Sequence, residues 1–121
     1  MDISKDLIAA SATPLILGIL KKEDSYGYEI IKIIKKSSDN EIIWTEGMLY
    51  PVLHRLEDKG FIESYWEKPE SGRRRKYYFL KKKGKLELEK HKKQWEIVHA
   101  TLSEQIYEDK DNVEKGEDEN V

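Results

Sequence analysis

The chain contains no cysteine, which excludes disulfides, thiolate nucleophiles and Cys-ligated metals together. A reducing compartment is consistent with that composition. Long apolar runs are missing too. The apolar residues between Leu7 and Leu20 follow Asp2, Lys5 and Asp6 and are interrupted by Thr13 and Pro14. Such a stretch is too short and too broken to cross a bilayer, and it lacks the basic start and small-residue exit of a secretion signal. The expectation is a cytoplasmic protein with no membrane partner. Histidine is scarce: His54, His91 and His99 are the three present. His91 and His99 lie close to two helical turns apart, whereas helical metal pairs stand three or four residues apart. No phosphate-binding glycine loop and no nucleophile elbow occurs. These absences predict neither catalysis, nor a metal, nor a cofactor.

Charge, by contrast, is abundant. Of 121 residues 38% are charged and another 38% hydrophobic, which supplies one modest core and favours a partner subunit. The net charge of −2 is unevenly placed. Residues 109–121 hold six acidic residues against Lys110 and Lys115, a local balance of −4, so 1–108 carries +2. Within it, residues 70–83 bring Arg73, Arg74, Arg75, Lys76, Lys81, Lys82 and Lys83 together against Glu70 alone. A nearby polyanion responds to that local charge and not to the total.

Periodicity predicts a first helix over about Ile3–Lys22, with Leu15, Ile16, Ile19 and Leu20 recurring at helical spacing. Pro14 either begins a helix capped by Thr13 or kinks a longer one. Ser25 is a candidate cap for a second helix with Tyr26, Ile30, Ile33 and Ile34 on one face, ended by the turn formers Ser37 to Asn40. Ile42, Ile43 and Trp44 read as a short β-prone run. Thr45 then caps a third helix ending at Lys59, with Gly60 just beyond it. Its apolar stripe is Leu49, Val52, Leu53 and Leu56; the opposite side carries Gly47, Tyr50, Pro51, His54, Arg55 and Asp58. Two strands follow, Phe61–Trp66 and Arg74–Leu80, joined by a Pro- and Gly-containing turn. A long helix from about Gly84 to Tyr107 repeats Leu88, Trp95 and Leu102 every seven residues, with Val98 and Ile106 extending the seam. Residues 109–121 read as disordered. The fold class is mainly α with a small β-hairpin: a winged helix-turn-helix over 1–82, a dimerisation helix over 83–108 and an acidic tail.

In a helix-turn-helix the second helix of the pair enters the major groove. Tyr50, Pro51, His54 and Arg55 are the groove-side candidates, with Arg55 best suited to guanine edges or phosphate. Ser71, Gly72, Arg73, Arg74, Arg75 and Lys76 set four consecutive cations beside a glycine that lets backbone approach a phosphate. Lys81, Lys82 and Lys83 start the last helix, where the macrodipole disfavours cations; either a nearby phosphate or absent selection explains them.

Three segments, SYGYEI at 25–30, EGMLYPVLHRLEDKGFI at 46–62 and SGRRRKYYFL at 71–80, together resemble the PadR family of bacterial regulators. The resemblance covers nearly all of the chain before the acidic tail. It implies a winged-helix homodimer that usually represses transcription and leaves its operator on binding a small effector. It places Tyr26 and Tyr28 on the supporting helix, Tyr50 and Pro51 on the recognition helix, and Arg73 to Lys76 in the wing. The chain is similar to the short form of the family, which has one C-terminal helix. In multidrug-binding members of that form, a tryptophan from each subunit lines a pore at the dimer interface, and Trp95 stands in a comparable place. A planar aromatic or hydrophobic effector could stack there, or Trp95 packs the seam with Leu88, Val98, Leu102 and Ile106. The family often has Leu-Thr leading into the last helix, where this chain has Leu80-Lys81 and lacks that cap. The expected partner is double-stranded DNA with a near-palindromic operator. The competing reading is a protein-interaction adaptor on the same scaffold, since fold alone does not fix function.

Overall fold

The computed structural model describes residues 1–107; the acidic segment expected to be disordered lies outside the described residues. Helix α1 spans Lys5–Lys22. Its cap is Ser4, whose Oγ accepts a hydrogen bond from the Leu7 amide at 3.2 Å, and Asp6 at its start and Lys21 and Lys22 at its end suit the helix dipole. Pro14 lies inside this single helix, so no helix begins at Thr13.

The chain continues through β1 (Ser25–Tyr26), α2 (Gly27–Ser37), α3 (Glu46–Asp58), β2 (Ile62–Glu67), β3 (Arg75–Leu80) and α4 (Lys82–Ile106). Two expectations are corrected. Ser25 does not cap α2: its backbone pairs with Tyr78 in a strand, its hydroxyl donates to the Glu23 carbonyl, and Tyr26 holds the cap position. Ile42–Trp44 forms no strand. Trp44 is instead a core anchor, 3% exposed, at the entry to α3. Ile42 packs half-buried against the core while Ile43 is exposed, so composition alone did not distinguish this loop from a strand.

The turn between α2 and α3 depends on Asp39 (φ 55°) and Asn40 (φ 69°) in the left-handed region, which short polar side chains tolerate better than bulky ones. Thr45 caps α3, its Oγ1 accepting from the Met48 amide at 3.2 Å. Gly60, at φ 79°, follows the Lys59 C-cap, and the Phe61 amide bonds back to the Leu56 carbonyl.

The sheet is antiparallel in the order β1-β3-β2. Because side chains alternate, one face sends Ser25, Ile62 and Tyr78 into the core. There they meet Ile16, Leu17 and Leu20 of α1, Ile30 and Ile34 of α2, and Leu49, Leu53 and Leu56 of α3. On the other face Tyr26, Tyr77 and Tyr65 are successive register partners. Tyr77 meets Tyr26 edge-on at 5.3 Å and stacks on Tyr65 at 5.7 Å. The Tyr65 hydroxyl donates to Asp24 Oδ2 at 2.8 Å; that bond, ahead of desolvation and nearby negative charge, pushes its pKa up to about 12.

Gly84 is buried where α4 leaves the sheet. The Lys81 amide donates to the Phe61 carbonyl at 3.0 Å, and a β-carbon on Gly84 would collide with that same carbonyl oxygen and with Leu80 Cδ1 at 2.6 Å. Met1–Glu89 forms one compact unit; the described residues from Lys90 onward belong to another. In the second unit, Trp95, Val98, Leu102 and Ile106 are all exposed in the single chain, and their spacing puts them on one face of the helix.

Candidate nucleic-acid interface

The wing turn, the start of α2 and the start of α3 enclose a cleft of about 600 Å³. Each wall has a local cause. The β1–β3 pairing brings Tyr26 and Tyr28 beside the hairpin, the Thr45 cap starts α3 at Glu46, and Pro69 and Gly72 turn the wing back over both. Gly27 permits the closest approach, since a β-carbon there would overlap the Tyr50 hydroxyl and sit 2.9 Å from Tyr50 Cζ. Burial, followed by the negative charge of Glu46, raises the Tyr50 pKa.

Four of the five cations of the cleft stand over aromatic rings. The Arg75 guanidinium lies 4.6 Å from the Tyr26 ring centre, Arg74 lies 4.8 Å from that of Trp66, and the Lys32 ammonium lies 4.9 Å from that of Tyr28. Lys76 stands 5.7 Å from the Tyr78 ring centre. Such interactions contribute about 0.5–1 kcal/mol each at exposed sites. They restrict long side chains without neutralising them. The ion pairs Met1–Glu41, Lys21–Glu89 and Lys81–Glu63 take up none of the wing cations Arg73 to Lys76, which leaves these side chains open to an external anion.

Of the residues singled out from sequence, Tyr26, Tyr50, Ser71, Gly72, Arg73, Arg74, Arg75 and Lys76 line this cleft. Pro51, His54 and Arg55 are exposed on α3 outside it. The cleft also includes Lys32, Glu46 and Trp66, which sequence reasoning did not select. The four-residue spacing of Tyr28 and Lys32 was a usable signal, because it sets them on one helical face. Trp66 gave none, since its partner Arg74 lies across the hairpin. Two of the lysines flanking the last helix have partners within the chain: Lys81 Nζ lies 3.1 Å from Glu63 Oε1, and Lys83 lies 5.5 Å from the Phe61 ring centre. Leu88 packs against the core cluster, whereas Trp95, at 36% exposure, belongs to the open face of α4.

Comparison with known proteins agrees with this architecture. Residues 16–90 match the model of the transcriptional regulator PadR-like family. A protein of Lysinibacillus sphaericus is 36% identical over 100 residues, covering 83% of this chain and 92% of its own. The crystal structure of a PadR family transcription regulator from Clostridium difficile is 37% identical with a TM-score of 0.68, covering 79% of this chain and 98% of its own. A transcriptional regulator from Clostridium thermocellum superposes with a TM-score of 0.78 at 34% identity, over 86% of this chain and 98% of that one. None of the helices among the described residues is long and apolar enough to cross a membrane. With the family model covering most of the described chain and the winged-helix frame and cationic cleft in place, this chain belongs to the PadR-like family, a family of transcriptional regulators and not of enzymes.

Proposed function

We propose that the chain is a sequence-specific DNA-binding repressor that acts as a homodimer and is released by a small effector held near the dimer seam. The observation that carries this reading is the cleft, where the start of the recognition helix and the cations Arg73 to Lys76 face the same space. A helix end beside a cationic turn matches a groove flanked by phosphates. Tyr50, His54 and Arg55 are the candidates for reading bases, and the wing supplies the grip on phosphate.

The seam of Trp95, Val98, Leu102 and Ile106 supports dimerisation, since four large apolar residues on one face of a helix are exposed in the single chain and a second copy would remove them from water. Two-fold symmetry sets the recognition helices about one DNA turn apart, roughly 34 Å, and so selects a near-palindromic operator. A planar aromatic or hydrophobic ligand between the Trp95 rings shifts the balance only by binding the two arrangements unequally.

The test is a salt titration of duplex binding. A steep fall in affinity as salt rises is the expected result. Negligible binding at every salt concentration would favour the adaptor reading instead.

A further inference from the structure

The cleft contains five cations and one carboxylate, Glu46. Glu46 is exposed and is the first residue of α3. None of the ion pairs among the described residues engages it. An ionised carboxylate beside a phosphate path opposes binding to every sequence, by about threefold for one phosphate some 7 Å away in water. Helix-dipole stabilisation explains an acid at this end of a helix, but Thr45 already caps α3, and that role does not require the acid to face the cations of the wing. Tyr50 follows four residues later on the same helical face, and both residues line the cleft, which puts the carboxylate on the side of α3 that faces the wing.

We propose that Glu46 is a specificity-determining residue. It accepts a hydrogen bond from an exocyclic base amino group, cytosine N4 in each half-site, and repels the backbone when no such group is presented. Recognition-helix N-termini meet base edges first, and a carboxylate is an acceptor suited to cytosine there. The arginines then supply attraction without sequence preference, and Glu46 subtracts from it wherever the sequence is wrong. This inference rests on the DNA-binding reading above.

The experiment uses the full chain and its Glu46→Gln and Glu46→Asp variants. Each is incubated with a random duplex pool whose bound fraction is sequenced, and each is titrated by anisotropy against one fixed duplex lacking the enriched sequence. Glu46→Gln should bind the fixed duplex about threefold more tightly at low salt and lose a cytosine preference of about fivefold or more at one position per half-site. Glu46→Asp keeps the charge on a shorter arm. It should keep the weak binding to the fixed duplex while losing much of the cytosine preference. Identical enriched sequences and identical fixed-duplex affinity in all three proteins would overturn the proposal and leave Glu46 as a helix-end charge, visible only as a lower Tm in Glu46→Gln. Failure of the unsubstituted chain to enrich any duplex would instead overturn the DNA-binding reading on which the proposal stands.

Discussion

Adding one methyl group at two helical glycines should move stability in opposite directions. In Gly84→Ala the new β-carbon meets the Phe61 carbonyl oxygen, with the Phe61 carbonyl carbon at 3.0 Å and Leu80 Cδ1 at 2.6 Å. Leu80 can rotate; a backbone carbonyl at the start of the hairpin cannot. Overpacking of this kind costs about 1–3 kcal/mol. Relief by moving α4 away strains the Lys81–Phe61 hydrogen bond of 3.0 Å, a further loss of about 1 kcal/mol. Against these stands the better helix propensity of alanine, about 1 kcal/mol in a helix interior. The net is a destabilisation of about 1–3 kcal/mol, or a Tm lower by about 5–15 °C for a chain of this size. At Gly18, inside α1, no atom beyond the adjoining residues and the helix's own backbone lies within 4 Å of the new methyl. Gly18→Ala should therefore keep the propensity gain and stabilise by about 0.5–1 kcal/mol. Thermal denaturation followed by circular dichroism, at one protein concentration because an oligomer's Tm depends on it, measures both. A Gly84→Ala protein melting at or above the unsubstituted one would refute the account of how α4 is seated.

Three further outcomes are expected. Replacing Arg73, Arg74 and Arg75 with Ala should weaken binding to all duplexes alike and lower the salt slope by about 1 for each phosphate that is no longer neutralised; an unchanged slope removes the wing from the interface. Trp95→Ala should abolish the response to planar aromatic ligands while operator affinity persists, and analytical ultracentrifugation showing a monomer instead would assign Trp95 to packing the seam. Burial, ahead of the charge of Glu57, pushes the Tyr78 pKa up to about 12 from 10.0. The unfolded chain therefore releases this proton first, and stability present below pH 10 declines between about pH 10 and 12. Tyr78→Phe should flatten that decline in urea melts; an unchanged pH dependence would show that Tyr78 is not its source.

Much of the frame was legible because it is written in local periodicity and caps. The Leu49, Leu53 and Leu56 spacing located the buried side of α3, and Thr45 and Gly60 its two ends. Features that depend on distant pairing were not. A strand as short as Ser25–Tyr26 has no alternation to detect, and it exists only because β3 lies alongside, so Ser25 read as a cap. Ile42–Trp44 has the composition of a strand, but its backbone finds no ladder; its indole is buried in the core and Ile42 packs against it. The wing was visible as a charge run, whereas its order was not, because Trp66 and Arg74 meet only after the hairpin folds. Glu46 drew no notice as one acid in a chain with many; its meaning appears only when it is found lining one cleft with five cations. Gly84 likewise looked like an ordinary helix start until the Phe61 carbonyl was placed against it.

The shortest strand has the widest mechanical reach. β1 fastens the beginning of α2 to the hairpin, and the next residue, Gly27, is the one on which Tyr50 of α3 leans. The hairpin, the root of α2 and the first turns of α3 are therefore joined at a single point, through one short backbone pairing and one glycine. The consequence is a joint with little slack: bulk added at Gly27 would be felt in the second helix, the third helix and the hairpin together.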